Sequence, residues 1–318
     1  MTDTSNNKTE VIRKIINEDS QKPEINLIGP SVKYIMINSN YKDQGVKVKD
    51  NCDSKISNKV TISGSVNTNK KGTYKITYEV IDSYGNKSSI SRSVIVYEKP
   101  VEIGGSGSKK TIYLTFDDGP SKSITPNILK ILKEKGIPAT FFVINHSNDL
   151  NYLIKQEHLE GHTVALHSYT HDYKTVYSSS DAYFNDLEKI GDKVKSITGE
   201  ESKIIRFPGG GSNTISKKYS KGIMKYLTNE VISRGYHYFD WNISSGDAGG
   251  AKNKNDVYNN VVRGLNSSRA NIILMHDFEN NYKTLYALSD IIDYGLAKGY
   301  TFKAIDMTTP LVRHKVNN

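Results

Sequence analysis

At 318 residues the chain is longer than a single hydrophobic core usually organises, so one large domain with a smaller companion is expected. A lone cysteine, Cys52, excludes an internal disulfide framework, and the lack of any run of 18 apolar residues excludes a membrane-spanning helix. The formal charge of +9 favours an anionic partner or surface, but no Lys/Arg block dominates and no nucleic-acid fingerprint is present, so nucleic acid is not an expected partner.

Residues 1–22 are polar, apart from Val11, Ile12, Ile15 and Ile16, and read as a leader or linker. The first seven carry neither the basic nor the apolar region of a secretory signal, so either the protein stays in the cytosol or its export signal has been trimmed. Residues 23–98 change to short β-type runs. In Tyr74-Lys75-Ile76-Thr77-Tyr78-Glu79-Val80 apolar and polar residues alternate, Ser83-Tyr84-Gly85-Asn86 turns the chain, and Ile90, Arg92, Val94 and Val96 form one face of a second strand. An antiparallel hairpin within a small β-sandwich is predicted. Asp50 and Asp53 read as solvated turn acids, because a calcium site needs six or more oxygens. The runs Tyr41-Lys42-Asp43-Gln44-Gly45, Asp50-Asn51-Cys52-Asp53, Gly72-Thr73-Tyr74 and Asp82-Ser83-Tyr84-Gly85-Asn86 resemble bacterial immunoglobulin-like modules of cell-wall proteins, over residues 23–97.

Residues 99–110, with Pro100, Gly104, Gly105, Ser106, Gly107 and Ser108, have the composition of a flexible linker. From 111 to 314 apolar runs near 112–116, 139–144, 163–167, 204–207, 237–242, 271–276 and 301–305 alternate with helical segments such as Ile124–Lys135 and Asp181–Ile197. Seven β units with intervening helices predict an α/β domain with a mostly parallel sheet, open or rolled into a barrel. Asp117, Asp118, His167, Arg206, Asp240 and His276 fall at the C-terminal ends of predicted strands, the face on which such barrels build active sites.

The residue types there specify chemistry. Asp118 with His167 and His171, the imidazoles four residues apart, offers three ligands to a zinc ion and leaves a fourth position for water. Asp117 is then free to act as a base.

Thr115-Phe116-Asp117-Asp118-Gly119-Pro120, His167-Ser168-Tyr169-Thr170-His171, Arg206-Phe207-Pro208-Gly209-Gly210, Asp240-Trp241-Asn242 and Leu274-Met275-His276 look like the five motifs of the polysaccharide deacetylases, the NodB-homology group or carbohydrate esterase family 4, over about residues 110–306. The resemblance implies a distorted (β/α)7-type barrel, a divalent metal held by Asp118, His167 and His171, and hydrolysis of N-acetyl groups on a glycan. It nominates the Gly209 backbone N–H as an oxyanion donor. His276 is the candidate acid for the leaving amine, as a histidine poised near pH 7. Arg206 would hold and aim Asp117, Asp240 and Asp247 are both candidates to partner His276, and Trp241 with Leu274 would wall the acetyl pocket. Two departures stand out. Gly209-Gly210-Gly211 follows Pro208 where the family commonly has an aromatic, which predicts a more open sugar subsite, and Ala248 follows Asp247 where relatives often have an aromatic.

The expectation is an extracellular, wall-associated deacetylase acting on N-acetylglucosamine of peptidoglycan. Alternatives are chitin oligomers, acetylxylan, N-acetylmuramic acid, or an inactive glycan-binding wall protein. Nitrogen and oxygen ligands leave zinc, cobalt, manganese and nickel all open as the metal.

Overall fold

The computed structural model describes residues 18–97 and 109–318, so most of the expected leader and of the expected linker lies outside the described residues. The described residues divide into two compact units, one of 18–33 with 38–95 and one of 34–37 with 96–97 and 109–318.

The N-terminal unit is strand-rich. Strands β1 (Glu24–Leu27) and β3 (Val46–Lys49) pair antiparallel, and a four-stranded sheet runs β2 (Val32–Met36), β6 (Lys87–Tyr97), β5 (Gly72–Ile81), β4 (Thr61–Ser63). Alternation buries Ile76, Tyr78 and Val80 on β5, and Val94 and Val96 on β6. Between these strands Asp82 Oδ1 accepts from the N–H groups of Tyr84 and Asn86, which fixes the predicted turn. Arg92, on the inward face, is fully buried, an expensive place for a charge. Its guanidinium donates to Asp43 (3.0 Å) and to the carbonyls of Ile28 (2.7 Å) and Gly45 (3.3 Å), while the hydroxyls of Tyr41 and Tyr78 donate to the same carboxylate. Asp50 and Asp53 behave as turn acids: Asp50 Oδ1 accepts from Cys52 and Asp53 N–H, and Asp53 pairs with Lys59.

The second unit is a parallel barrel built from β7 (Thr111–Asp117), α1 (Thr125–Lys135), β8 (Thr140–Ile144), α2 (Asn151–Leu159), β9 (Thr163–Ser168), α3 (Tyr173–Val176), α4 (Ser180–Thr198), β10 (Ile204–Ile205), α5 (Ile223–Ser233), β11 (His237–Tyr238), β12 (Ile243–Ser244), α6 (Lys254–Gly264), β13 (Ala270–His276), α7 (Tyr282–Ala297) and β14 (Thr301–Phe302). The order is β11-β10-β9-β8-β7-β13-β12, with β14 beside the start of β7. All of β7 is buried, as a central strand covered on both faces requires. Ile112, Leu114 and Phe116 lie on one face, while Tyr113 joins Phe142, Ala165, Phe239 and Ile272 in the core cluster on the other.

The run 237–242, predicted as one strand, is divided. Its first residues form β11 at one end of the sheet, and the chain then crosses to β12 at the other end. Asn242 makes the crossing, donating its side-chain amide to Ala270 O and accepting from Ile272 N–H in place of a strand neighbour. The C-terminal segment lines the seam: Val312 O accepts from Asp240 N–H (2.8 Å), and Leu311 and Val312 pack on the core. Closure on this side comes from loop contacts, which distorts the barrel.

Candidate active site

Period-two alternation sets the site. Asp117 ends β7 and pairs in register with His276, the last residue of β13, while His167 lies one residue before the end of β9 and Arg206 directly follows β10. These residues meet at the C-terminal rim, as the sequence predicts.

Asp118 and His171 flank the rim with φ of +70° and +51°, left-handed conformations that non-glycine residues rarely adopt and that concentrate where function demands them. The two histidines meet through a tight loop and not through a helical turn, since β9 ends at Ser168 and α3 begins at Tyr173. His167 Nδ1 bonds to the Arg206 carbonyl (2.7 Å), which directs Nε2 inward, and burial holds this imidazole below its ordinary pKa against the pull of Asp117 and Asp118. His167 Nε2 and His171 Nε2 lie 3.4 and 3.2 Å from Asp118 Oδ1, and among the described residues that buried oxygen makes no hydrogen bond. Three donor atoms within 4.8 Å of one another, one an unsatisfied carboxylate oxygen, fit a divalent cation, and a set of two nitrogens and one oxygen leaves coordination positions free.

Asp117 is buried, with Oδ1 2.6 Å from Arg206 Nη1 and Oδ2 3.9 Å from His167 Nε2. Arg206 is itself wholly buried and fully engaged. It donates through Nε to Phe239 O, through Nη1 to Thr115 Oγ1 as well as Asp117, and through Nη2 to Asp240 O, and it stacks 4.1 Å over Phe142. Such a grip leaves the carboxylate one orientation.

The choice between Asp240 and Asp247 is resolved by contact. Asp247 Oδ1 meets His276 Nδ1 at 2.8 Å, whereas Asp240 accepts from the N–H groups of Gly211 and His314 and staples the glycine loop to the C-terminal segment. Asp240 therefore lies beside the site as a loop anchor and does not partner His276. Burial disfavours charge on His276, but the hydrogen bond and charge of Asp247, with Asp117 and Asp118 behind it, push the imidazole up to about 9. Burial likewise opposes ionisation of Asp247, yet bonds from His276 and Thr284 hold its carboxyl well below the usual range. These partners favour the protonated form of His276, above the poise near 7 expected from sequence.

In the glycine run Gly209 is exposed and Gly210 buried, and aromatic side chains approach both. A Cβ on Gly209 would lie 2.6 Å from the Tyr173 hydroxyl, and one on Gly210 3.0 Å from the Trp241 ring, so these glycines admit the approach of neighbouring aromatics. Among the described residues the Gly209 N–H has no protein acceptor, while the next N–H, of Gly210, bonds to Phe207 O. Trp241 sits 5.7 Å from the Arg206 guanidinium and packs on the core, and Leu274 is buried two residues before His276 on the same strand face.

Four supporting residues escape the sequence reading. Asp186 on α4 accepts from Ser168 Oγ, Tyr169 N–H, Thr170 N–H and Thr170 Oγ1 at 2.6–2.9 Å, shaping the loop that carries His171. Its signal was a carboxylate on the apolar helix face of Tyr183, Leu187 and Ile190. Asn281 and Thr284, both buried, donate to Asp247 Oδ2 at 2.8 and 2.6 Å, and no motif marks them. His146, half-buried, reaches the Asp118 carbonyl at 3.2 Å.

The fold and these contacts agree with known proteins. A polysaccharide deacetylase profile matches residues 104–224, and one for the Ig-like domain of bacterial surface proteins matches residues 25–96. A peptidoglycan-N-acetylglucosamine deacetylase of Bacillus cereus is 32% identical over 206 residues, 62% of this chain and 69% of its own length. The peptidoglycan-N-acetylmuramic acid deacetylase PdaA of Bacillus subtilis is 30% identical over 203 residues, 64% of this chain and 72% of its own. The crystal structure of the catalytic domain of a peptidoglycan N-acetylglucosamine deacetylase from Eubacterium rectale superposes with a TM-score of 0.65 at 43% identity, covering 69% of this chain and 98% of that one. Likeness of this extent, over nearly the whole of a solved catalytic domain, means that the chain belongs to the polysaccharide deacetylase family, hydrolytic enzymes of the NodB-homology group, and carries a bacterial-surface Ig-like domain ahead of its barrel.

Proposed function

We propose that this chain is a zinc-dependent N-deacetylase of cell-wall glycan, acting outside the cell on N-acetylglucosamine of peptidoglycan and releasing acetate. The observation that carries the reading is the pairing of a buried, arginine-held carboxylate, Asp117, with a carboxylate-held histidine, His276, at the rim where Asp118, His167 and His171 converge. A divalent cation bound by those three would acidify a water and polarise the acetyl carbonyl.

The chain's own residues do the rest. Asp117 takes the proton as water adds to the carbonyl carbon, with Arg206 keeping the carboxylate aimed. The Gly209 N–H steadies the developing oxyanion. His276, turned by Asp247, delivers a proton to the departing nitrogen, so the C–N bond breaks to give acetate and a free sugar amine. Peptidoglycan is favoured because the Bacillus cereus and Eubacterium rectale relatives are named for its N-acetylglucosamine and because a charge of +9 suits an anionic wall. The Ig-like domain supports a wall location, and no helix among the described residues is long and apolar enough to cross a membrane.

The test is acetate release from purified peptidoglycan and from chitin oligomers, with chelator and after zinc re-addition. Release that disappears with chelator and returns with zinc, greater on peptidoglycan, is expected. Preference for chitin would overturn the substrate, and glycan binding without release would make the barrel a binding module.

A further inference from the structure

Tyr173 begins α3, two residues beyond His171, and its ring stands edge-on to that histidine at 5.8 Å and 87°. The Tyr177 ring also lies 5.8 Å from it, tilted by 58°. Tyr177 is fully buried and gives its hydroxyl to Pro208 O at 2.8 Å, so the two tyrosines divide one aromatic column into an anchored member and an open one. Tyr173 is half-buried, and among the described residues its hydroxyl has no hydrogen-bond partner. That hydroxyl lies 2.6 Å from the point where a Cβ on residue 209 would stand. Glycine at 209 thus makes room for a phenol beside the one backbone N–H of the loop proposed to face the acetyl oxygen. A donor whose ring is held by packing against two neighbouring rings needs little reorganisation when charge develops nearby.

We propose that Tyr173 is a second hydrogen-bond donor to the reacting N-acetyl group, acting beside the Gly209 N–H. The assignment rests on the deacetylase reading above and adds a side chain that the five motifs do not contain. A neutral O–H strengthens its bond as the carbonyl oxygen gains charge, so its contribution falls on turnover more than on ground-state binding.

The decisive variant is Tyr173→Phe, which keeps the ring and its contacts with His171 and Tyr177 and removes only the oxygen. Acetate release from chitin tetramer should show kcat lowered by about 10²-fold with little change in KM, while zinc binding by calorimetry and the melting temperature match the parent. Parental kcat would overturn the proposal. So would a rise in KM alone, which would make the hydroxyl a ground-state sugar contact, or a loss of zinc affinity in step with activity, which would make Tyr173 a support for His171. A parent chain that releases no acetate from chitin tetramer or peptidoglycan would overturn the deacetylase reading and this proposal together. A second measurement reads the geometry directly. Gly209→Ala should lower the melting temperature less in the Tyr173→Phe background than in the parent, because the 2.6 Å contact is with the oxygen that Phe lacks; equal losses in the two backgrounds would refute the juxtaposition.

Discussion

Replacing Asp247 by asparagine removes one charge from His276 and leaves an oxygen of similar shape in its place. The imidazole stands at about 9 against an ordinary 6.5, a difference of about 3 kcal/mol between its two protonation states. Burial opposes that shift, and Asp247 contributes first to it through both hydrogen bond and charge, so without the charge the pKa should return to 6.5 or below. The sign follows from the proposed role: a proton donor works while protonated, so activity is lost as pH rises through its pKa. At pH 8 the donor form would fall from most molecules to roughly one in 30. The assay is kcat for acetate release from chitin tetramer across the pH range. The parent should keep its alkaline limb near 9, and Asp247→Asn should move the limb down by at least two units with at least about a 30-fold lower kcat at pH 8. A limb that stays near 9 would refute the reasoning. The same raised pKa gives His276 a stabilising contribution that is complete below its unfolded value and lost as pH rises toward 9.

Asp117→Asn should bind zinc like the parent by calorimetry yet lose nearly all turnover, because it removes the proposed base and no ligand; retained activity would reverse the roles of Asp117 and Asp118. Asp186→Ala leaves Ser168, Tyr169 and Thr170 without their common acceptor, and zinc affinity should drop about 10–100-fold as His171 loses its support; unchanged affinity would mean that the loop holds itself. Glu157 on α2 is wholly buried, among the described residues neither of its oxygens is hydrogen-bonded, and burial drives its carboxyl well above the usual range. Its folded state therefore loses stability as pH rises above the unfolded value near 4.5, so Glu157→Gln should gain melting temperature over the parent increasingly between about pH 4.5 and 8. A gain that does not change with pH would count against that ionisation.

The legible part of the site lies where a residue's position on its own element is enough. Asp117, His167 and His276 share an inward parity on strands that the alternation of β and α segments already marks, and parallel pairing brings strand ends of one sense to one rim. The hairpin of the N-terminal domain is legible for the same reason, because Asp82 and Gly85 write a turn between two period-two runs. The split of 237–242 is not, since Asn242 takes the place of a strand neighbour only after β13 is beside it, 30 residues further along.

Asp240 and Asp247 both stand near strand ends and look alike in one dimension. Only the folded chain sends Asp240 to Gly211 and His314 and brings Asp247 to His276, Asn281 and Thr284, a network whose members are separated by as many as 37 residues. The three glycines show the same limit. The sequence records the absence of side chains at 209–211, which suggests open space, while the tertiary structure brings Tyr173, Trp241 and Asp240 close to these backbones. The sequence alone therefore determined the family, the parallel barrel and the identities of the Asp117, Asp118, His167, His171 and His276 groups, because local periodicity and short motifs encode them. The pairing of buried charges, the elevated His276 and the occupant of the Gly209 niche were decided by tertiary packing, because each depends on the distance and desolvation of groups that the chain order does not bring together.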